Sequence, residues 1–131
     1  MTFSSQTRTR LILASAAVYW LVIFTGTHVP GHVLHHIGHK DKVFHFGAFV
    51  GLSALLCWSA SCFRKPGLVI YAAVLAVAAV YGVFDELTQQ LVPLRTADPL
   101  DWLADVCGAV IGILLFAGLQ RLFGRPYGAT G

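Results

Sequence analysis

The chain has 131 residues, 56% of them hydrophobic and only 11% charged, against roughly a quarter charged in an ordinary soluble domain. This excludes a disordered segment and leaves too few polar groups to cover a water-soluble globule of that size. The formal net charge of +3, with six histidines neutral, is too small and its cations too scattered for a nucleic-acid-binding surface.

A hydrocarbon layer of about 30 Å takes about 20 helical residues to cross, and four apolar stretches meet that length. The first covers residues 11–29. Arg8 and Arg10 precede it, and Ala14-Ser15-Ala16 resembles a signal-peptide cleavage motif. The apolar run continues through Tyr19, Trp20 and Leu21 to Phe24, so the motif falls inside the run and the stretch reads as a membrane span. A His-rich segment, 28–42, leads to the second span at 43–63, which the turn Arg64-Lys65-Pro66-Gly67 joins to a third at 68–91. Residues 93–101 then lead to the fourth, 102–120. The expected fold is all-α, a polytopic bundle of four transmembrane helices in a single domain, 1–131, without internal repeats. The cysteines Cys57, Cys62 and Cys107 lie in apolar stretches without metal-ligand spacing and read as reduced, buried small hydrophobes.

Cytoplasmic loops are enriched in Lys and Arg. Arg8, Arg10, Arg64, Lys65, Arg121 and Arg125 fall on one side of the four-span topology, and Lys40, Lys42 and Arg95 on the other. Both termini are therefore expected in the cytoplasm, and the chain in the cytoplasmic (inner) membrane. All six acidic residues, Asp41, Asp85, Glu86, Asp98, Asp101 and Asp105, gather at or near the outer ends.

Those outer ends carry the candidate chemistry. The second span opens on Asp41-Lys42 with His45 one turn further in; the third carries Glu86 and Gln89 before Pro93 ends it; Arg95 and Asp98 follow, and the fourth carries Asp101 and Asp105. A carboxylate at the centre of a membrane helix costs roughly 2.5–3.5 kcal/mol, less toward the ends, so such groups face a protein interior or a water-filled cavity. Asp101, Asp105, Gly108 and Gly112 are spaced four, three and four residues apart and share one helix face. The two glycines form a small-xxx-small pair suited to close helix packing.

Asp41-Lys42 with His45, Glu86 with Gln89, Pro93 and Arg95, then Asp98, Asp101 and the Gly108/Gly112 pair resemble the signature of VanZ-like membrane proteins. The resemblance runs from about Asp41 to Gly112. Two features depart from it: Asp at position 105, where the family often has Asn, and the His-rich segment. The resemblance implies a small multi-pass membrane protein of the cell envelope. The family's founding member is linked to resistance to teicoplanin-type glycopeptide antibiotics, and no reaction is implied.

Each residue also has a plainer reading. Asp98 before Pro99 suits a helix N-cap, and Asp101 suits the positive end of that helix. Asp41 can cap the second helix while Lys42 snorkels to the surface. His45 shares its level with several carboxylates and titrates near neutrality when unperturbed. Glu86 is the strongest single candidate, because a carboxylate within an apolar span needs a partner or a cavity. Gln89, one turn above, is placed to orient Glu86 or a ligand. Asp85, about 100° away around the helix, is expected to reach the headgroup region or the His-rich segment. Arg95 offers a planar fork for a carboxylate or phosphate, with a salt bridge to Asp98 or Asp101 as its plain alternative. His28, His32, His35, His36 and His39 include one-turn spacings but no complete ligand set, and read as an interfacial loop or short helix. No metal and no cofactor are expected.

The leading reading is an outward-facing polar pocket that binds the polar or phosphate-bearing part of an amphiphile: an envelope precursor, a lipid or a glycopeptide. Lys42 and Arg95 would meet anionic groups, with Glu86, Asp101 and Asp105 accepting hydrogen bonds. An intramembrane enzyme with Glu86 or His45 as general base is the alternative, and a purely structural bundle is a third. No Ser-His-Asp arrangement, phosphate loop or zinc-protease motif assigns a reaction. Transport is the weakest reading, for want of a repeat. Membrane lipid is the one assured partner class, and the oligomeric state is not legible.

Overall fold

A computed structural model describes residues 4–30 and 41–123. Among them are four helices, α1 (Ser5–Thr27), α2 (Asp41–Ser61), α3 (Leu68–Gln89) and α4 (Pro99–Phe123). All are long and apolar enough to cross a membrane. At about 1.5 Å per residue each exceeds the 30 Å hydrocarbon layer. His32, His35, His36, His39 and Lys40, and with them the reading of the His-rich segment as an interfacial loop, lie outside the described residues.

The helix ends follow local chemistry. Ser4 caps α1, its hydroxyl accepting from the Thr7 N–H at 3.1 Å, so α1 starts before the apolar run and carries Arg8 and Arg10 in its first turns. Asp98 caps α4, its Oδ1 accepting from the Leu100 N–H at 2.9 Å, with Pro99 at the first helical position, where a missing N–H costs nothing. Between α3 and α4 the chain turns through Leu94, the one non-glycine residue with positive φ (61°) among those described.

The exterior is apolar and the interior carries the polar groups. Leu68, Val69, Val80, Leu21, Leu114 and many like them are exposed, while His45, Ser53, Asp85, Glu86, Gln89, Asp101 and Asp105 are buried. In water so large an apolar surface would drive association; in lipid it is what a spanning bundle presents. Consecutive helices alternate in direction, which brings the end of α1, the start of α2, the end of α3 and the start of α4 together. Hydrogen bonds from Thr27 to Asp85, Lys42 to Asp98 and Arg95 to Asp41 mark that end.

The closest packing joins α2 and α4. A Cβ on Gly108 would strike the Phe46 carbonyl oxygen, and one on Gly112 the Val50 carbonyl oxygen and Ser53 Oγ, so neither position has room for a side chain. Below the polar end, Phe49, Leu52, Ala78, Tyr81, Ala109 and Ile23 form the main apolar core, followed by Cys57, Val74, Ile113 and Phe116. The expectation of three buried cysteines needs correction. All are free, but only Cys57 is buried; Cys62 is half-buried and Cys107 exposed. Cys107 neighbours Gly108 on the helix and so points away from the α2 interface, where lipid accepts a thiol as readily as a core does.

Candidate functional site

All nine candidate polar residues lie at the shared end, in two layers. Outermost, the Lys42 ammonium donates to Asp98 and, at 2.8 Å, to Asp101. The Lys42 ammonium and then the Leu100 N–H hold the Asp98 carboxyl below its ordinary range. Beside this bridge, Arg95 donates to Asp41 at 2.9 Å, to Gln89 Oε1 at 2.8 Å and to the Thr27 carbonyl at 3.1 Å. Arg95 is thus a clasp between α1, α2 and α3, paired with Asp41 and not with Asp98 or Asp101 as its plain reading had it. The turn at Leu94 aims its side chain back over the bundle.

The inner layer joins α2, α3 and α4. His45 Nδ1 lies 3.0 Å from Asp105 Oδ1, both residues buried. When the Asp105 carboxylate is ionised it only accepts, and the ring then donates to it from Nδ1. Glu86 Oε2 accepts from the Asp98 N–H at 2.8 Å, which ties it to the start of α4. His45 Nε2, Glu86 Oε1 and Asp105 Oδ2 are buried without a hydrogen-bond partner among the described residues. Gly82 makes the α3–α4 approach possible: a Cβ there would stand 3.0 Å from both Asp105 Oδ2 and Trp102 Cδ1.

A third set of bonds centres on Asp85, which is turned inward and not to the headgroup region, with His28 of the His-rich segment 3.8 Å away. Asp85 is fully buried, accepting from Gln89 Nε2 at 2.8 Å, Thr27 Oγ1 at 2.9 Å and Tyr81 OH at 3.5 Å. Gln89 therefore orients Asp85 and Arg95, not Glu86. The missed signal is the spacing of Tyr81, Asp85 and Gln89, four residues apart on one face; Glu86 sits on the adjoining face with Gly82. The contribution of α1 was also missed: Thr27, Tyr19 and His28 are within reach of the site. His28 ends α1, with Nδ1 2.8 Å from the Phe24 carbonyl and Nε2 2.9 Å from Thr88 Oγ1, so it belongs to the bundle and not to a surface loop.

A groove of about 320 Å³ opens between α1 and α2. Val22, Ile23, Phe44 and Ala48 form its apolar walls, and Thr27, Asp41 and His45 its polar end. A long apolar slot ending on charged groups suits a molecule that is itself apolar at one end and polar at the other.

No curated protein and no solved structure matches this chain. Its four apolar helices make it a multi-pass membrane protein. The family model described as VanZ/LLP1 matches residues 1–122, and the chain belongs to that family.

Proposed function

We propose that this VanZ-family protein binds an amphiphilic component of the cell envelope, or a glycopeptide, with the apolar part in the groove between α1 and α2 and the polar part at Asp41 and His45. The observation that carries this reading is the continuity of that groove from apolar walls to Thr27, Asp41 and His45. The cation distribution supports cytoplasmic termini, and so an inner-membrane protein whose polar end faces outward. Lys42 and Arg95 are each already paired with carboxylates of the chain, which favours a hydroxyl- or amine-bearing headgroup over a strongly anionic one. A contribution to teicoplanin-type resistance follows if the bound molecule is the antibiotic or the precursor it attacks.

Gly26 lines the groove, and nothing lies within 4 Å of a Cβ placed there. Gly26→Trp therefore adds a bulky ring to the groove lining at a position whose Cβ meets no other atom. Native mass spectrometry of protein released from membranes is expected to show an amphiphile retained by the wild type and lost in Gly26→Trp, with a matching fall in teicoplanin tolerance. Equal retention by the two proteins would refute the reading. The His45–Asp105 pair, with Nε2 unencumbered, favours one second reading, general-base chemistry on the bound molecule.

A further inference from the structure

We propose that His45, Glu86 and Asp105 form a binding site for a divalent cation that accepts mixed imidazole and carboxylate ligands, of the zinc or manganese kind. The proposal stands apart from the amphiphile reading. Each residue comes from a different helix and offers one ligand atom, and these atoms lie within 4.8 Å of one another. Donors about 2.0–2.2 Å from a tetrahedral zinc ion stand about 3.3–3.6 Å apart, so side-chain adjustments of about an ångström close the set. His45, Glu86 and Asp105 are 1%, 5% and 0% exposed, and each holds a buried atom with no hydrogen-bond partner among the described residues. Groups in that state are expensive in a dry interior unless something engages them.

Charge points the same way. Six carboxylates gather at this end of the bundle, yet Lys42 and Arg95 bridge only Asp41, Asp98 and Asp101. Neither Glu86 nor Asp105 pairs with a lysine or arginine among the described residues, so a divalent ion would neutralise both. Asp41, His45 and Asp101 form a second group of suitable spacing, but its two carboxylates are held by Arg95 and Lys42, which leaves the inner trio as the site. Helix-borne carboxylates and histidines converging in a bundle core recur in metal-binding bundles. The groove, which reaches His45, gives the ion its route in.

The test uses the full chain in lipid nanodiscs, stripped with a chelator and re-equilibrated with Zn2+, Mn2+ or Mg2+. Elemental analysis is expected to find about one Zn2+ or Mn2+ per chain, and X-ray absorption on the zinc-loaded wild type one imidazole with carboxylate oxygens. The Glu86→Gln/Asp105→Asn double variant is expected to lose affinity about tenfold or more. A variant with His32, His35, His36 and His39 all replaced by Gln is expected to keep the ion. Absence of bound Zn2+ and Mn2+ in folded wild type overturns the proposal. So does a zinc shell of several imidazoles, or loss of the ion in the four-histidine variant alone; the absorption spectrum of the wild type decides the matter even if the double variant does not fold. Loss of the amphiphile in Gly26→Trp concerns the groove alone, so the two proposals can fail separately.

Discussion

Replacing Gly108 with alanine adds one methyl group at the tightest crossing of the bundle. That Cβ would meet the Phe46 carbonyl oxygen and stand 3.1 Å from the Phe46 carbonyl carbon and 3.2 Å from its Cα, closer than the 3.4–4 Å of ordinary contact. All three atoms are backbone, so no rotamer change relieves the clash and α2 must move away from α4. Overpacking of this kind costs about 1–3 kcal/mol, equivalent to roughly 5- to 150-fold in the folding equilibrium. The same displacement stretches the His45–Asp105 hydrogen bond, which is 3.0 Å long and weakens steeply with distance. Gly47 and Gly118 are the controls, since a Cβ at either position would have no atom within 4 Å. Alanine there is expected to be neutral or to stabilise by up to about 1 kcal/mol through helix propensity. Reversible unfolding in mixed micelles reads all three variants. A Gly108→Ala protein as stable as Gly47→Ala would refute the packing argument.

Three further outcomes follow from named contacts. Asp85→Ala leaves Thr27 Oγ1, Gln89 Nε2 and Tyr81 OH without their buried acceptor; a loss of about 1–3 kcal/mol is expected in the same assay, and an unchanged stability would contradict the Asp85 hub. Leu94 holds φ at 61°, a region costing most residues about 1–2 kcal/mol, so Leu94→Asn is expected to raise the thermal midpoint, and a lowered midpoint would tell against that turn. The Asp98 carboxyl is held below its ordinary range chiefly by Lys42. A carboxylate depressed in the folded state contributes stability above its unfolded value of about 3.9, and the contribution fades as pH falls through the lowered folded value. NMR titration of the Asp98 carboxyl carbon is expected to show its value rise in Lys42→Met, and no rise would rule out the bridge.

What the sequence made legible depended on whether the answer lay within one helix or between two. Hydropathy located four spans because lipid imposes their composition. It placed the start of α1 at residue 11 and not at Ser5, because hydropathy measures the lipid-facing run while a cap and arginines extend the helix beyond it. The Asp101–Asp105–Gly108–Gly112 stripe was readable from spacing on one helix and is buried as a unit. Asp85 was legible only in part: its approach to His28 fits the expected reach to the His-rich segment, but its burial depends on which neighbour its face of α3 meets, and nothing in the local pattern says that this neighbour is α1. Arg95 found Asp41 through a turn at Leu94, a backbone conformation that leucine does not advertise.

The central claim is that α2, α3 and α4 bring His45, Glu86 and Asp105 together inside the bundle. Glu86 is the only glutamate in the sequence, so labelling glutamate carboxyl carbons marks one residue. With His28, His32, His35, His36 and His39 replaced by Gln, labelled imidazole nitrogen marks His45 alone. A solid-state dipolar-coupling measurement between these labels in lipid bilayers is expected to show close contact, consistent with the 4.8 Å limit on their ligand atoms. An absent coupling in folded protein would place the two side chains apart and contradict the account.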